Sequence, residues 1–150
     1  MIRPARPEDQ VAIERIVHSV YLDRIGKEPG PMRENYWNRI AEGAVSVLEA
    51  EESGKIVALI VLLPATDYLL LDNVAVDPLM QHRGIGRQLI EFAEAEGRRL
   101  GFAELRLYTH EKMSENIALY RRLGFIETGR GRQDGYDRVF MRKAIAPGIA

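Results

Sequence analysis

The chain has 150 residues, of which 46% are hydrophobic and 29% charged, the balance of a folded globule and not of a disordered segment. Twenty-one Lys and Arg stand against 22 Asp and Glu, a net charge of -1, too even to mark a nucleic-acid or membrane-surface binder. Cysteine is absent, which excludes disulfides, zinc–thiolate sites and a thiol nucleophile together.

This length predicts a single domain over residues 1–150. The first residues are charged from Arg3 onward, with no apolar signal core behind them. The longest apolar run, Ile56 to Leu63, is far short of the ~20 residues of a membrane helix, so the expected location is the cytoplasm.

Residues 2–5 predict a short strand. Pro7-Glu8-Asp9 then opens a helix, with proline at the first turn and acids at the positive end of its dipole. Ile13, Ile16, Val17, Val20 and Ile25 carry its apolar spacing to about residue 25. A run of glycines and prolines over residues 26–31 breaks it. A second helix is expected over 32–41, with Met32, Tyr36, Trp37, Ile40 and Ala41 on one side and Gly43 ending it. Val45, Val47 and Glu49 then predict a strand, and residues 55–63 a second one apolar enough to be covered on both faces. A third strand covers 68–76.

The clearest helix covers 84–100, with Ile85, Leu89, Ile90, Phe92, Ala93 and Leu100 as its stripe and Gly101 as its stop. A strand comes next over 102–108, with Leu105 and Leu107 facing one way. Ser114 is the expected N-cap of a helix over 115–123 that Gly124 closes. Residues 125–132 and 136–142 form a terminal hairpin around Asp134-Gly135. The order β-α-α-β-β-β-α-β-α-β-β describes an α+β fold, a mixed sheet of about seven strands with helices on both faces.

Gln81-His82-Arg83-Gly84-Ile85-Gly86-Arg87 joins a strand to the first turn of a long helix. Unpaired N–H groups at such a turn and close backbone approach at glycine suit a pyrophosphate, with Arg83, Arg87 and His82 as further donors. The stretch lacks the Gly-Lys-Ser/Thr of a Walker loop, and Leu89 stands where a dinucleotide fingerprint needs its third glycine. Gln-x-x-Gly-x-Gly remains.

This loop resembles the coenzyme A loop of the GNAT superfamily of N-acetyltransferases. The likeness takes in the strand before it, the Asp77-Pro78 exit, the long helix and the segment Asn116-Ile117-Ala118-Leu119-Tyr120 through Gly124-Phe125, about half of the chain. It implies the GNAT fold and acetyl transfer from acetyl-CoA to an amine, with no metal. On that likeness Val74, Ala75 and Val76 carry backbone groups beside the pantetheine arm, and Tyr120 is the acid near the sulfur. Asp72 is the candidate base, with Glu111 and Tyr108 as alternatives; equally, Asp72 serves as a cap or bonds the neighbouring strand. Relatives place an Asn where this chain has Met113, and Asn116 either takes over that cofactor contact or is an exposed polar residue of the first turn.

Residues 21–32 read as an acceptor-side lid or as a rigid turn, with Tyr21, Ile25, Glu28, Met32 and Tyr108 as candidate acceptor contacts. Glu28, Glu34, Glu111, Asp134 and Asp137 are acids that attract a cationic amine. His18 and His110 show no metal spacing. Two other functions remain open: an acyl-CoA sensor of the same fold without turnover, and a nucleotide binder with a different phosphate loop. A homodimer is expected through the exposed edge of the terminal hairpin.

Overall fold

The computed structural model describes residues 1–24 and 36–146. Its elements take the predicted order: β1 (Ile2–Pro4), α1 (Gln10–Arg24), α2 (Tyr36–Ala41), β2 (Val45–Glu49), β3 (Ile56–Pro64), β4 (Leu69–Val76), α3 (Ile85–Arg99), β5 (Glu104–His110), α4 (Ser114–Arg122), β6 (Ile126–Gln133) and β7 (Tyr136–Ala144). The seven strands hydrogen-bond in the order β1-β2-β3-β4-β5-β7-β6. Only β4 and β5 are a parallel pair among the pairings β1–β2, β2–β3, β4–β5, β5–β7 and β6–β7. Among the described residues, no helix is long and apolar enough to cross a membrane.

The chain divides into two compact units, residues 1–62 with 73–89, and residues 63–72 with 90–150. In the first, Ile13, Ile16, Val17 and Val20 of α1 are buried as their spacing requires, and Ile56 to Val61 are buried without alternation. A bidentate Arg3–Asp9 pair (2.8 and 3.2 Å) anchors the entry to α1, where Asp9 Oδ2 also accepts the Arg6 backbone N–H at 2.8 Å. Arg3 holds the Asp9 carboxyl below the usual carboxylate range, since the neighbouring guanidinium favours the ionised form.

In the second unit, Leu69, Leu71, Leu105, Leu107 and Met141 are buried. Helix α3 lies close to them: a Cβ on Gly97 would meet Ile145 Cδ1 at 2.6 Å and Leu105 Cδ2 at 3.1 Å. The β6–β7 hairpin turns at Asp134 (φ 53°) and Gly135 (φ 80°), both left-handed as a two-residue turn requires.

Three details differ from the sequence reading, and a fourth set of residues is not described. Trp37 and Ala41 are exposed, because α2 spans only six residues and buries Tyr36 and Ile40 instead. Leu100 lies past the last turn of α3 and is 46% exposed. Ser114 is the first residue of α4 and Met113 its N-cap, so the first-turn N–H groups take no side-chain cap. Ile25, Glu28, Met32 and Glu34, with most of the expected lid, lie outside the described residues.

Candidate active site

In the first unit β4 leaves the sheet at Val76, and Asp77 fixes the turn beyond it. The Asp77 backbone N–H donates to Val57 O at 2.8 Å. Its carboxylate accepts from the Leu79 N–H at 3.1 Å and from Arg15 of α1 at 3.2 Å. Gln81 Nε2 reaches back to Val76 O at 3.4 Å. His82 (φ 65°) and Gly84 (φ 78°) take left-handed backbone, which turns the chain into α3. His82, Arg83, Gly84 and Arg87 are exposed, and Gly86 is half-buried. Ile85 is buried, so it offers a ligand only its main chain.

The first turn of α3 holds no acid, a Cβ on Gly84 would meet nothing within 4 Å, and two arginines flank the turn. These residues therefore fit a pyrophosphate: positive dipole, open approach, no competing carboxylate. Ala75 is buried, while Val74 and Val76 are half-buried. Sequence reasoning passed over Asn73, whose Nδ2 donates to the buried Tyr36 hydroxyl at 2.9 Å. The only available signal was an amide beside Asp72 in a strand whose other residues are apolar.

The second unit carries the candidate acid and base. Asp72 ends its part of β4 and accepts the Tyr108 hydroxyl on Oδ1 at 2.5 Å. This bond joins Asp72 of β4 to Tyr108 of the neighbouring strand β5. Burial, then the Asp72 carboxylate, pushes the Tyr108 phenol well above the usual phenol range. In this arrangement Tyr108 is the donor and Asp72 the acceptor. The Arg138 guanidinium carbon lies 4.2 Å from the centre of the Tyr108 ring.

Tyr120 is buried on α4 with its ring 5.7 Å from that of Phe125, and its carbonyl accepts the Phe125 N–H at 2.9 Å. Asn116, one turn earlier, is half-buried. Glu111, Asp134 and Asp137 are exposed. His110 Nδ1 accepts the Lys112 N–H at 3.1 Å, and its ring meets Tyr136 edge-on. Half-buried Tyr21 sits near the end of α1. Among the described residues, no three His, Asp or Glu cluster as metal ligands.

A strand, a glycine turn with left-handed backbone and an acid-free helix N-terminus follow one another in an α+β fold. The profile of the acetyltransferase (GNAT) family matches residues 12–125, and the chain belongs to that family. It is 38% identical over 76 residues to a ribosomal protein bS18-alanine N-acetyltransferase of Escherichia coli (strain K12), covering 51% of each chain. The chain thus spans about half the length of the curated relatives it matches. The crystal structure of the ribosomal-protein-S18-alanine N-acetyltransferase from Escherichia coli superposes with a TM-score of 0.74 at 26% identity, covering 100% of this chain and 95% of that one. The PaiA N-acetyltransferase of Thermoplasma acidophilum, solved with coenzyme A, shares the fold with a TM-score of 0.79 at 23% identity, over 96% of this chain and 98% of that one.

Proposed function

We propose that the chain is an acetyl-CoA-dependent N-acetyltransferase that moves an acetyl group directly onto an amine. The observation that carries this reading is the acid-free start of α3 behind Gly84, in a chain of this family. Main-chain groups of Gly84, Ile85 and Gly86, with Gln81, His82, Arg83 and Arg87, hold the pyrophosphate, and Asn116 contacts the pantetheine arm. Bound acetyl-CoA supplies an activated acyl carbon and a thiolate leaving group.

The residues of the chain do the rest. An alkylammonium has a pKa near 10.4, so the acceptor must lose a proton before it attacks, and Asp72 takes that proton through water. Main-chain N–H groups at Val74, Ala75 and Val76 stabilise charge on the acyl oxygen. As the C–N bond forms and the C–S bond breaks, the Tyr120 phenol gives its proton to sulfur and regains one as the acylated nitrogen sheds its second proton. The products are an N-acetyl amine and the CoA thiol. With no cysteine in the chain, no acetyl-cysteine intermediate forms.

Tyr108 and Tyr21 contact the acceptor, together with Ile25, Glu28 and Met32. Residues 1–150 act as one acetyltransferase domain in the cytoplasm, and the mostly exposed edge strand β6 supports a homodimer.

Titration with CoA, NAD and ATP, and then a thiol-release screen over amines, tests the reading. CoA binding with amine-dependent thiol release is expected. Acetyl-CoA binding without release to any amine would make the chain an acyl-CoA sensor, and NAD or ATP binding without CoA binding would make it a nucleotide protein. Sedimentation velocity showing a monomer at all concentrations would remove the dimer.

A further inference from the structure

The half-buried cations of the described residues obey a rule with one exception. Arg3 meets Asp9 and Glu49, Arg39 meets Glu42, and Arg98 and Lys143 both meet Glu94. Arg138 is also half-buried, yet among the described residues no carboxylate lies within ion-pair distance of it. It meets the face of Tyr108 instead. A ring face satisfies a guanidinium less well than a carboxylate, which engages its planar fork in two bonds.

The neighbours of Arg138 leave room for an anion. Its register partner on β6 is Gly131, and Gly129 stands opposite Phe140, so β6 places no side chain at either position. A Cβ on Gly129 would meet nothing within 4 Å, and one on Gly131 would only touch Phe140 at 3.8 Å. On β5 its partner is His110, not an acid. The phenol stacked under Arg138 donates its hydroxyl to Asp72. A carboxylate and a guanidinium thus meet on one tyrosine, a pair of opposite charges that a zwitterion would complement.

We propose that Arg138 binds a carboxylate of the acceptor, and that the acceptor is a free α-amino acid whose amine approaches Asp72. The proposal rests on the acetyltransferase reading above and narrows its acceptor. A peptide N-terminus, whose nearest carbonyl is an uncharged amide, is disfavoured at this site.

The test uses the full chain with acetyl-CoA and two matched series, the common amino acids and their C-terminal amides. Binding of the corresponding N-acetyl amino acids to the CoA-loaded protein is measured in parallel by calorimetry. At least one amino acid should exceed its amide by about tenfold or more in kcat/KM, the effect of one charge-assisted bidentate contact. Arg138→Gln should bring that ratio toward one, and Arg138→Lys should keep part of it. CoA affinity and thermal midpoint check that each variant is folded. Amides turned over as well as amino acids, or a ratio that survives Arg138→Gln, would overturn the proposal. CoA binding with neither turnover nor binding of any amino-acid partner would overturn it and leave the acetyltransferase reading standing, whereas failure to bind CoA would remove both the proposal and that reading.

Discussion

The two compact units present their candidate chemistry through different parts of the residue. Around residues 81–87 the candidate groups are main-chain N–H groups, in a turn with left-handed backbone at His82 and Gly84 that follows the Asp77 contacts. In the other unit the useful groups are side chains: the Asp72–Tyr108–Arg138 cluster and the buried Tyr120. The first arrangement depends on conformation and tolerates varied side chains. The second depends on named functional groups and tolerates almost none. Changes in the first should therefore appear in CoA affinity or stability, and changes in the second in rate.

The largest effect should come from Tyr120→Phe. It keeps the packing against Phe125 and removes the proton, so kcat should fall by roughly 10²–10⁴ while CoA affinity holds. Equal losses in rate and CoA affinity would blur the division between the units. Next in size is Asp9→Ala, which leaves the Arg3 guanidinium without its bidentate partner and should cost about 3 kcal/mol in chemical denaturation. Because the folded Asp9 carboxyl titrates below its unfolded value near 3.9, its stabilisation is present above that pH and is lost as pH falls through the lower folded value. Asp9→Asn should therefore weaken the protein at pH 7 and flatten part of its acid unfolding.

Tyr108→Phe removes a hydrogen bond to a charged group, worth about 1.5–3 kcal/mol. It should lower kcat about tenfold with the acetyl-CoA KM unchanged, and an unaltered kcat would take Tyr108 out of the site. The smallest effect belongs to Gly135→Ala, which puts a Cβ at φ 80° and should cost about 1–2 kcal/mol of stability with no change in CoA affinity.

The contrast also explains what the sequence made legible. Conformation-dependent features announce themselves through glycine: the α3 entry at Gly84, the stops at Gly101 and Gly124 and the Asp134-Gly135 turn all lie where composition placed them. Long apolar spacing likewise located α1, α3 and the buried strand β3. Trp37 and Leu100 were misread because helix periodicity says nothing about where a short helix or a helix end meets solvent. The Asp72–Tyr108 bond and the Arg138 stack depend on pairing between β4, β5 and β7, where Leu70 faces Arg106 and Tyr108 faces Phe140. No local pattern encodes that register. Arg138 reads in sequence as one more charge on an exposed hairpin, and only the absence of a carboxylate beside it among the described residues gives it meaning.

The division between the units is tested most directly by measuring CoA affinity and kcat together in Gly84→Ala, Tyr120→Phe and the double variant. Alanine at φ 78° strains the turn by about 1–2 kcal/mol, so CoA should bind about tenfold more weakly in both variants that carry it. The double variant should show the affinity of Gly84→Ala and, at saturating acetyl-CoA, the kcat of Tyr120→Phe. A Tyr120→Phe variant that loses CoA affinity to the same extent, or that keeps the full kcat, would contradict the account.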